Sequence, residues 1–209
     1  MTECFEKIPP EEQARIRQAA LQEFTEKGYR RASTNAIVEA AGIPKGTLFY
    51  YFGSKKALFL YLLDGAGRDY VAFFNDEKGE LPADLFERLL QRHQVKLRFA
   101  AAHPLLFRFF SKAFLDIPDE IRKELGRRFR EYSAASADDL SEGLDRSRFR
   151  EDIDVGEAIS MIHTLLEGVF AHHAPRLKDA APDEMDGLIE EISAECRRYF
   201  DMLRWGIYR

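Results

Sequence analysis

The 209-residue sequence predicts an all-α protein in which three short helices precede a longer helical body. Three observations carry that expectation: apolar residues recur at three-and-four spacing almost from end to end, no segment keeps a period-two alternation bounded by turns, and residues that interrupt helices stand between the periodic segments. No sheet is expected.

The first helix is expected to begin near Pro10 or Glu11, with Ile16, Ala19, Ala20 and Phe24 on one stripe and Gly28 placed to end it. Ser33 or Thr34 offers an N-cap for a short second helix carrying Ile37, Val38, Ala40 and Ala41, because a hydroxyl there satisfies an N–H that the first helical turn leaves free. Gly42 and Ile43 follow as a tight turn. Pro44 suits the first turn of a third short helix reaching about Phe52, and Ser54 can cap a fourth that runs through Leu58, Leu62 and Tyr70. Gly65 and Gly67 predict a kink or local weakening there, since each costs up to about 1 kcal/mol relative to Ala. Further helices are expected over 83–102, 104–114, 118–142, 155–174 and 183–205, separated by His103-Pro104, Pro118, Gly143, Pro175 and Pro182. No flexible linker precedes Ser54, so the first three helices and the body are expected to share a rigid junction.

Composition narrows the function classes. An apolar fraction of 45% and a charged fraction of 32% are ordinary for a globular helical protein. No apolar run is long enough to span a membrane, and Met1 to Pro10 lacks the basic start and apolar stretch of a signal peptide, so the chain reads as complete and cytoplasmic, with no membrane partner. Cys4 and Cys196 match neither a disulfide framework nor a zinc spacing. His172 and His173 point about 100° apart on a helix and, with His163, complete no ligand set, so no metal is expected. No P-loop, nucleophile elbow, His-Glu-x-x-His or dinucleotide fingerprint appears, and the chain reads as a non-enzyme with no cofactor.

The charge is uneven. The net charge is −5, yet Lys27 to Lys56 holds six basic residues against one acid, Glu39. A charge run alone is usually a solvated face, but a basic face on an acidic body suits a head that binds a polyanion, because backbone contacts supply most non-specific affinity for DNA. The segment from Thr34 to Phe52 has the plan of a helix-turn-helix. Ala40 and Ala41 let two short helices approach, Gly42 permits the turn, and Leu48 and Phe52 pack inward, leaving Lys45, Gly46, Thr47, Tyr50 and Tyr51 toward the outer and N-terminal side of a helix that can enter a major groove.

From Thr34 to Phe59, with its core AGIPKGTLFYYFGSKKALF, the sequence resembles the TetR family of bacterial repressors, over roughly residues 11 to 60. The resemblance implies a DNA-binding domain over 1–54 and an effector-binding and dimerisation domain over 55–209. It implies that Thr34 touches phosphate, Lys45 lies at the groove and Gly46 allows close approach to the bases. Thr47 and Tyr51 are implied as phosphate or base contacts, Tyr50 as a flanking backbone contact, and Lys55 as a phosphate contact at a helix start. Phe49 stands where the family usually has Tyr, so it lacks that hydroxyl and either packs or lies against sugar.

Two later stripes, Val155, Ile159, Ile162, Leu166 and Val169, then Met185, Leu188, Ile189, Ile192, Cys196, Tyr199, Phe200 and Leu203, suit either an internal core or a partner helix. The resemblance favours the partner: a homodimer through Ile159, Ile162, Leu166, Val169, Leu188, Ile192, Cys196 and Tyr199, and hence a palindromic double-stranded operator. It also implies a pocket for a small apolar or amphipathic effector in the phenylalanine-rich region, which holds Phe86, Phe114, Phe129 and His93 as well as the candidate contacts Phe73, Arg98, Phe99, His103, Phe107, Phe110, His163 and Glu167. The function expected is a sequence-specific regulator of transcription, a repressor released by its ligand. The alternative is a helical small-molecule-binding protein or enzyme whose head is only structural.

Overall fold

The computed structural model describes residues 2–115, 120–128, 143–179 and 184–207. Its helices are α1 (Thr2–Phe5), α2 (Pro10–Arg31), α3 (Thr34–Ala41), α4 (Lys45–Phe52), α5 (Lys55–Glu77), α6 (Leu85–Ala102), α7 (Pro104–Leu115), α8 (120–128), α9 (Val155–Asp179) and α10 (Met185–Ile207), with a 3-10 turn at Arg146–Arg148. Among the described residues there is no strand. The expected helix over 118–142 is seen only at 120–128; Pro118, Pro182, Phe129 and the side chain of Phe114 lie outside the described residues.

The chain forms two compact units, Met1–Ala72 with His103–Ser133, and Phe73–Ala102 with Ala134–Arg209. This grouping by packing cuts α5 at Ala72 and so differs from a division at residue 54.

In the first unit the expected stripe of α2 is the core: Ile16, Ala20 and Phe24 are buried and pack with Ile37, Val38 and Ala41 of α3 and Leu48 and Phe52 of α4. Ala40 is exposed, so of the alanine pair only Ala41 serves the close approach. Gly28, at φ 71°, breaks α2 where its end was expected, and one more turn follows to Arg31. Two lysines satisfy carbonyls left there. Lys112 Nζ of α7 donates to the oxygens of Thr25 (2.8 Å) and Glu26 (3.1 Å), and Lys55 Nζ of α5 to those of Arg30 and Ala32, both at 3.2 Å. Ser33 is the N-cap of α3, its hydroxyl accepting from Ala36 N–H at 3.4 Å, and Ser54 caps α5 through Ala57 N–H at 3.1 Å. Ion pairs then tie α5 to α8: Lys56 to Glu124 at 2.6 Å and Arg128 to Asp64 at 2.5 Å. Helix α5 continues through Gly65 and Gly67, contrary to the expected weak point, with Leu62, Leu63 and Ala66 buried on its inner face.

The N-terminal arm carries a helix the sequence reading passed over. Its Phe5 is fully buried against Tyr51 (5.6 Å), Phe52 (4.8 Å) and Tyr61 (5.5 Å), so it seals the underside of α4.

In the second unit α6, α9 and α10 pack around Leu85, Phe86, Leu89, Ile162, Leu166, Ile192, Cys196 and Phe200. Asp84 fastens one end. It accepts from the N–H groups of Phe86 and Glu87 at the start of α6 and from Arg204 of α10 at 2.7 Å and Arg148 at 3.0 Å. Burial pushes its pKa up, but the Arg204 hydrogen bond, the Glu87 N–H and Arg148 outweigh that and hold it below the ordinary value. Pro175 was expected to end α9 but lies inside it. Beyond it, the paired hydrogen bonds from Arg176 to Glu191, each 2.7 Å, and the packing of Leu177 against the core anchor the last turns.

Candidate nucleic-acid interface

Helix α4 has two faces with distinct roles. Leu48, Tyr51 and Phe52 are buried, whereas Lys45, Gly46, Phe49 and Tyr50 are exposed, with Thr47 half-buried at the border. Positions 45, 46, 49 and 50 share one side of a 3.6-residue helix, so the exposed set is a continuous face. Phe49 is 43% and Tyr50 66% exposed, unusual for large aromatic rings that a protein's own core could take. Gly42 makes the turn that presents this face. It holds φ 64° and ψ 38° after α3, a left-handed conformation costly for a residue with a side chain, and its N–H bonds Glu39 O at 3.1 Å.

Gly46 is a different case. A Cβ built there meets nothing within 4 Å, so the protein's own packing does not require glycine at this helical position. What a side chain would obstruct is the approach of another molecule to the start of α4, where unpaired N–H groups favour an anion.

The expected contacts separate accordingly. Thr34 is half-buried at the first position of α3, beside the cap Ser33. Tyr51, at 8% exposure and with its ring edge-on to Phe5, packs in the core of the head, and burial raises its pKa. Lys55 opens α5 with its side chain turned toward the end of α2. Its ammonium is committed to the two carbonyls ending α2 and lies 4.9 Å above the Tyr29 ring, so it serves the head's internal structure. Lys56 is likewise paired, with Glu124, which leaves Lys27, Arg30, Arg31 and Lys45 as the exposed cations of the basic segment. The sequence reading missed the arm beneath the interface, where Tyr50 Oη lies 3.8 Å from Cys4 Sγ. Phe5 and Ile8 ahead of Pro9-Pro10 were its only signal.

The stripes expected to meet a partner pack within or beside the core of the second unit. Ile162, Leu166, Ile192 and Cys196 are fully buried within one chain, and Val169 and Leu188 nearly so, because α6 covers them. Ile159 and Tyr199 are half-buried at the margin of the same core. Burial raises the Cys196 thiol to about 11, as suits an inert core cysteine. The outward sides of α9 and α10 instead carry Met161, Leu165, Gly168 and His172, and Tyr199, Met202 and Trp205. Trp205 is 87% and Met202 72% exposed. An open groove of about 580 Å³ lies there, lined by Thr164, Leu165, Gly168, Val169, His172, Glu195 and Tyr199.

The eight candidate effector contacts divide between the units. His103, Phe107 and Phe110 belong to the first, where Phe110 packs against the head's core. Phe73, Arg98, Phe99, His163 and Glu167 belong to the second, with Phe73 and Phe99 edge-on at 5.4 Å and Arg98 Nε 3.5 Å from Glu77. Among the described residues no helix is long and apolar enough to cross a membrane.

Comparison with known proteins agrees with this geometry. Residues 16–62 match the model of the bacterial regulatory proteins, tetR family, a span that includes α3, α4 and the turn between them. The HTH-type transcriptional repressor Rv3405c of Mycobacterium tuberculosis is 30% identical over 176 residues, 83% of this chain and 80% of that one. Among solved structures, a TetR family transcriptional regulator from Chloroflexus aurantiacus superposes with a TM-score of 0.67 at 24% identity, covering 100% of this chain and 98% of that one. The fatty acid degradation regulator FadR of Bacillus halodurans gives 0.66 at 21% identity, over 88% and 96% of the two chains. With both structures the likeness is one of fold. The relative's identity across most of both chains, joined to the family match over the reading head, places this protein: it belongs to the TetR family of bacterial transcriptional regulators.

Proposed function

We propose that the protein is a cytoplasmic, homodimeric repressor that places two copies of α4 in successive major grooves of a palindromic operator and is released by a small apolar or amphipathic effector. The observation that carries this reading is the outward face of α4. A cation and a glycine the fold does not need stand at the positive end of a helix, and two exposed aromatic rings continue the same face one turn on. In this reading Lys45 and Gly46 meet base edges, Thr34, Thr47 and Tyr50 the backbone, and Phe49 the sugar. The repressor sense is supported by the name of the Mycobacterium tuberculosis relative.

The partner subunit sits on the outward face of α9 and α10. Large exposed apolar residues flank the groove there, and Gly168, whose added Cβ would meet nothing within 4 Å, leaves room for a partner helix. Functionally, residues 1–54 read DNA and 55–209 sense and dimerise. Helix α5 runs through both packing units, giving an effector held in the second unit, against Phe73 and Phe99, a covalent route to the head. Release follows if the effector binds a body conformation whose heads are mis-spaced more tightly than the operator-bound one.

The salt dependence of operator binding tests the assignment of contacts. Lys45→Ala should flatten the slope of log K against log salt by about 2 for the dimer, because one cation per subunit leaves the interface. Lys55→Met should leave that slope unchanged while lowering the melting temperature, because its ammonium caps α2. The reverse pattern, measured by fluorescence anisotropy, would return Lys55 to the interface and remove Lys45.

A further inference from the structure

Three potential ligand atoms converge within the second unit, from α6 and α9. His93 is buried, its ring stacked on Phe170 at 5.1 Å with 10° between the planes. Its Nδ1 lies 3.0 Å from the carbonyl oxygen of Leu89, which can only accept, so Nδ1 carries a proton there and Nε2 is the ring atom turned toward α9. That Nε2 is buried with no hydrogen bond of good geometry among the described residues, and it faces the carboxylate oxygen Glu167 Oε1 at 3.4 Å. His163, one turn before Glu167 on α9, brings its Nε2 to 3.9 Å from the same oxygen. All three atoms lie within 4.8 Å of one another.

We propose that His93, His163 and Glu167 form a binding site for a divalent transition-metal ion of the zinc class, which cross-links α6 to α9. The sequence reading weighed His163 with His172 and His173 and expected no metal; the fold supplies His93 from a different helix. Two imidazoles and a carboxylate are a ligand set zinc accepts, at about 2.0–2.2 Å per bond, with a fourth position left for water or a small ligand. Bonds of that length around a tetrahedral ion set neighbouring ligand atoms about 3.4 Å apart. The His93 to Glu167 separation already has this value, and His163, 55% exposed, has room to close the remainder. The Leu89 carbonyl supplies the second contact that orients a ligating histidine. Lys96 holds the Glu167 carboxylate at 2.5 Å as its countercharge. With a third of its side chain exposed, it can withdraw when the ion enters.

Zn²⁺ titrated into the full-length protein by calorimetry should bind at one ion per chain, and Co²⁺ should develop the visible absorption of a tetrahedral site. His163→Ala and Glu167→Gln, at positions exposed enough to spare the fold, should each weaken Zn²⁺ binding about 10- to 100-fold and abolish the Co²⁺ bands. Failure of the parent to bind Zn²⁺, or binding by both variants equal to the parent's, would overturn the site and leave the DNA-binding reading untouched.

Discussion

Replacing Met202 and Trp205 together by glutamate is expected to convert the proposed dimer into monomers and to weaken operator binding about 100-fold or more. Both side chains are largely exposed in the single chain, yet a tryptophan at 87% and a methionine at 72% exposure are what a buried interface centre supplies before its partner arrives. Carboxylates placed there would be desolvated without a counter-ion, a penalty of several kcal/mol across two symmetry-related copies. Loss of the second head removes the gain in effective concentration that bivalent DNA binding gives, on the order of 10²- to 10⁴-fold. The fold itself should survive, because neither side chain belongs to the core around Ile192, Cys196 and Phe200. Sedimentation velocity and thermal melting read the two effects separately. A variant that stays dimeric would move the interface elsewhere on the chain.

Gly46→Leu should reduce operator affinity by about 10- to 100-fold while leaving the melting temperature unchanged or slightly raised. Glycine in a helix costs up to about 1 kcal/mol relative to alanine, and the site is open, so the free protein has no reason to resist a side chain. The loss arises only in the complex, where the added atoms hold the start of α4 away from base edges and forfeit contacts worth about 1–3 kcal/mol each. Gly42→Leu is the contrasting control: at φ 64° it strains the turn and lowers stability first. A Gly46→Leu protein that melted early would show that the glycine serves the fold, and the assignment of this face would fail.

Much of the head was legible because its signals are local. Ser33 and Ser54 as caps, Gly42 as the turn, and Leu48 and Phe52 as the inward pair depend on spacings of a few residues, and the structure reproduces each. The surroundings of Tyr51 and Lys55 were not legible because their partners lie far away in sequence. Phe5 takes the Tyr51 ring from 46 positions upstream, and Arg30 and Ala32 take the Lys55 ammonium from 25 and 23 positions upstream. The stripes of α9 and α10 were found correctly as stripes. Periodicity identifies an apolar face but not what covers it, and here α6 does. His93 and His163 stand 70 residues apart in number, on different helices, so no spacing could have joined them.

The account rests on α4 reading DNA sequence. The most direct measurement is fluorescence anisotropy of the full-length protein against a duplex from upstream of its own gene and against a scrambled duplex of equal composition, at about 0.15 M salt, where charged contacts are screened beyond roughly 8 Å. The expected result is a preference for the native duplex of about 10³-fold or more, cut by about 10- to 100-fold in Gly46→Leu. Equal affinity for the two duplexes, insensitive to Gly46→Leu, would contradict it.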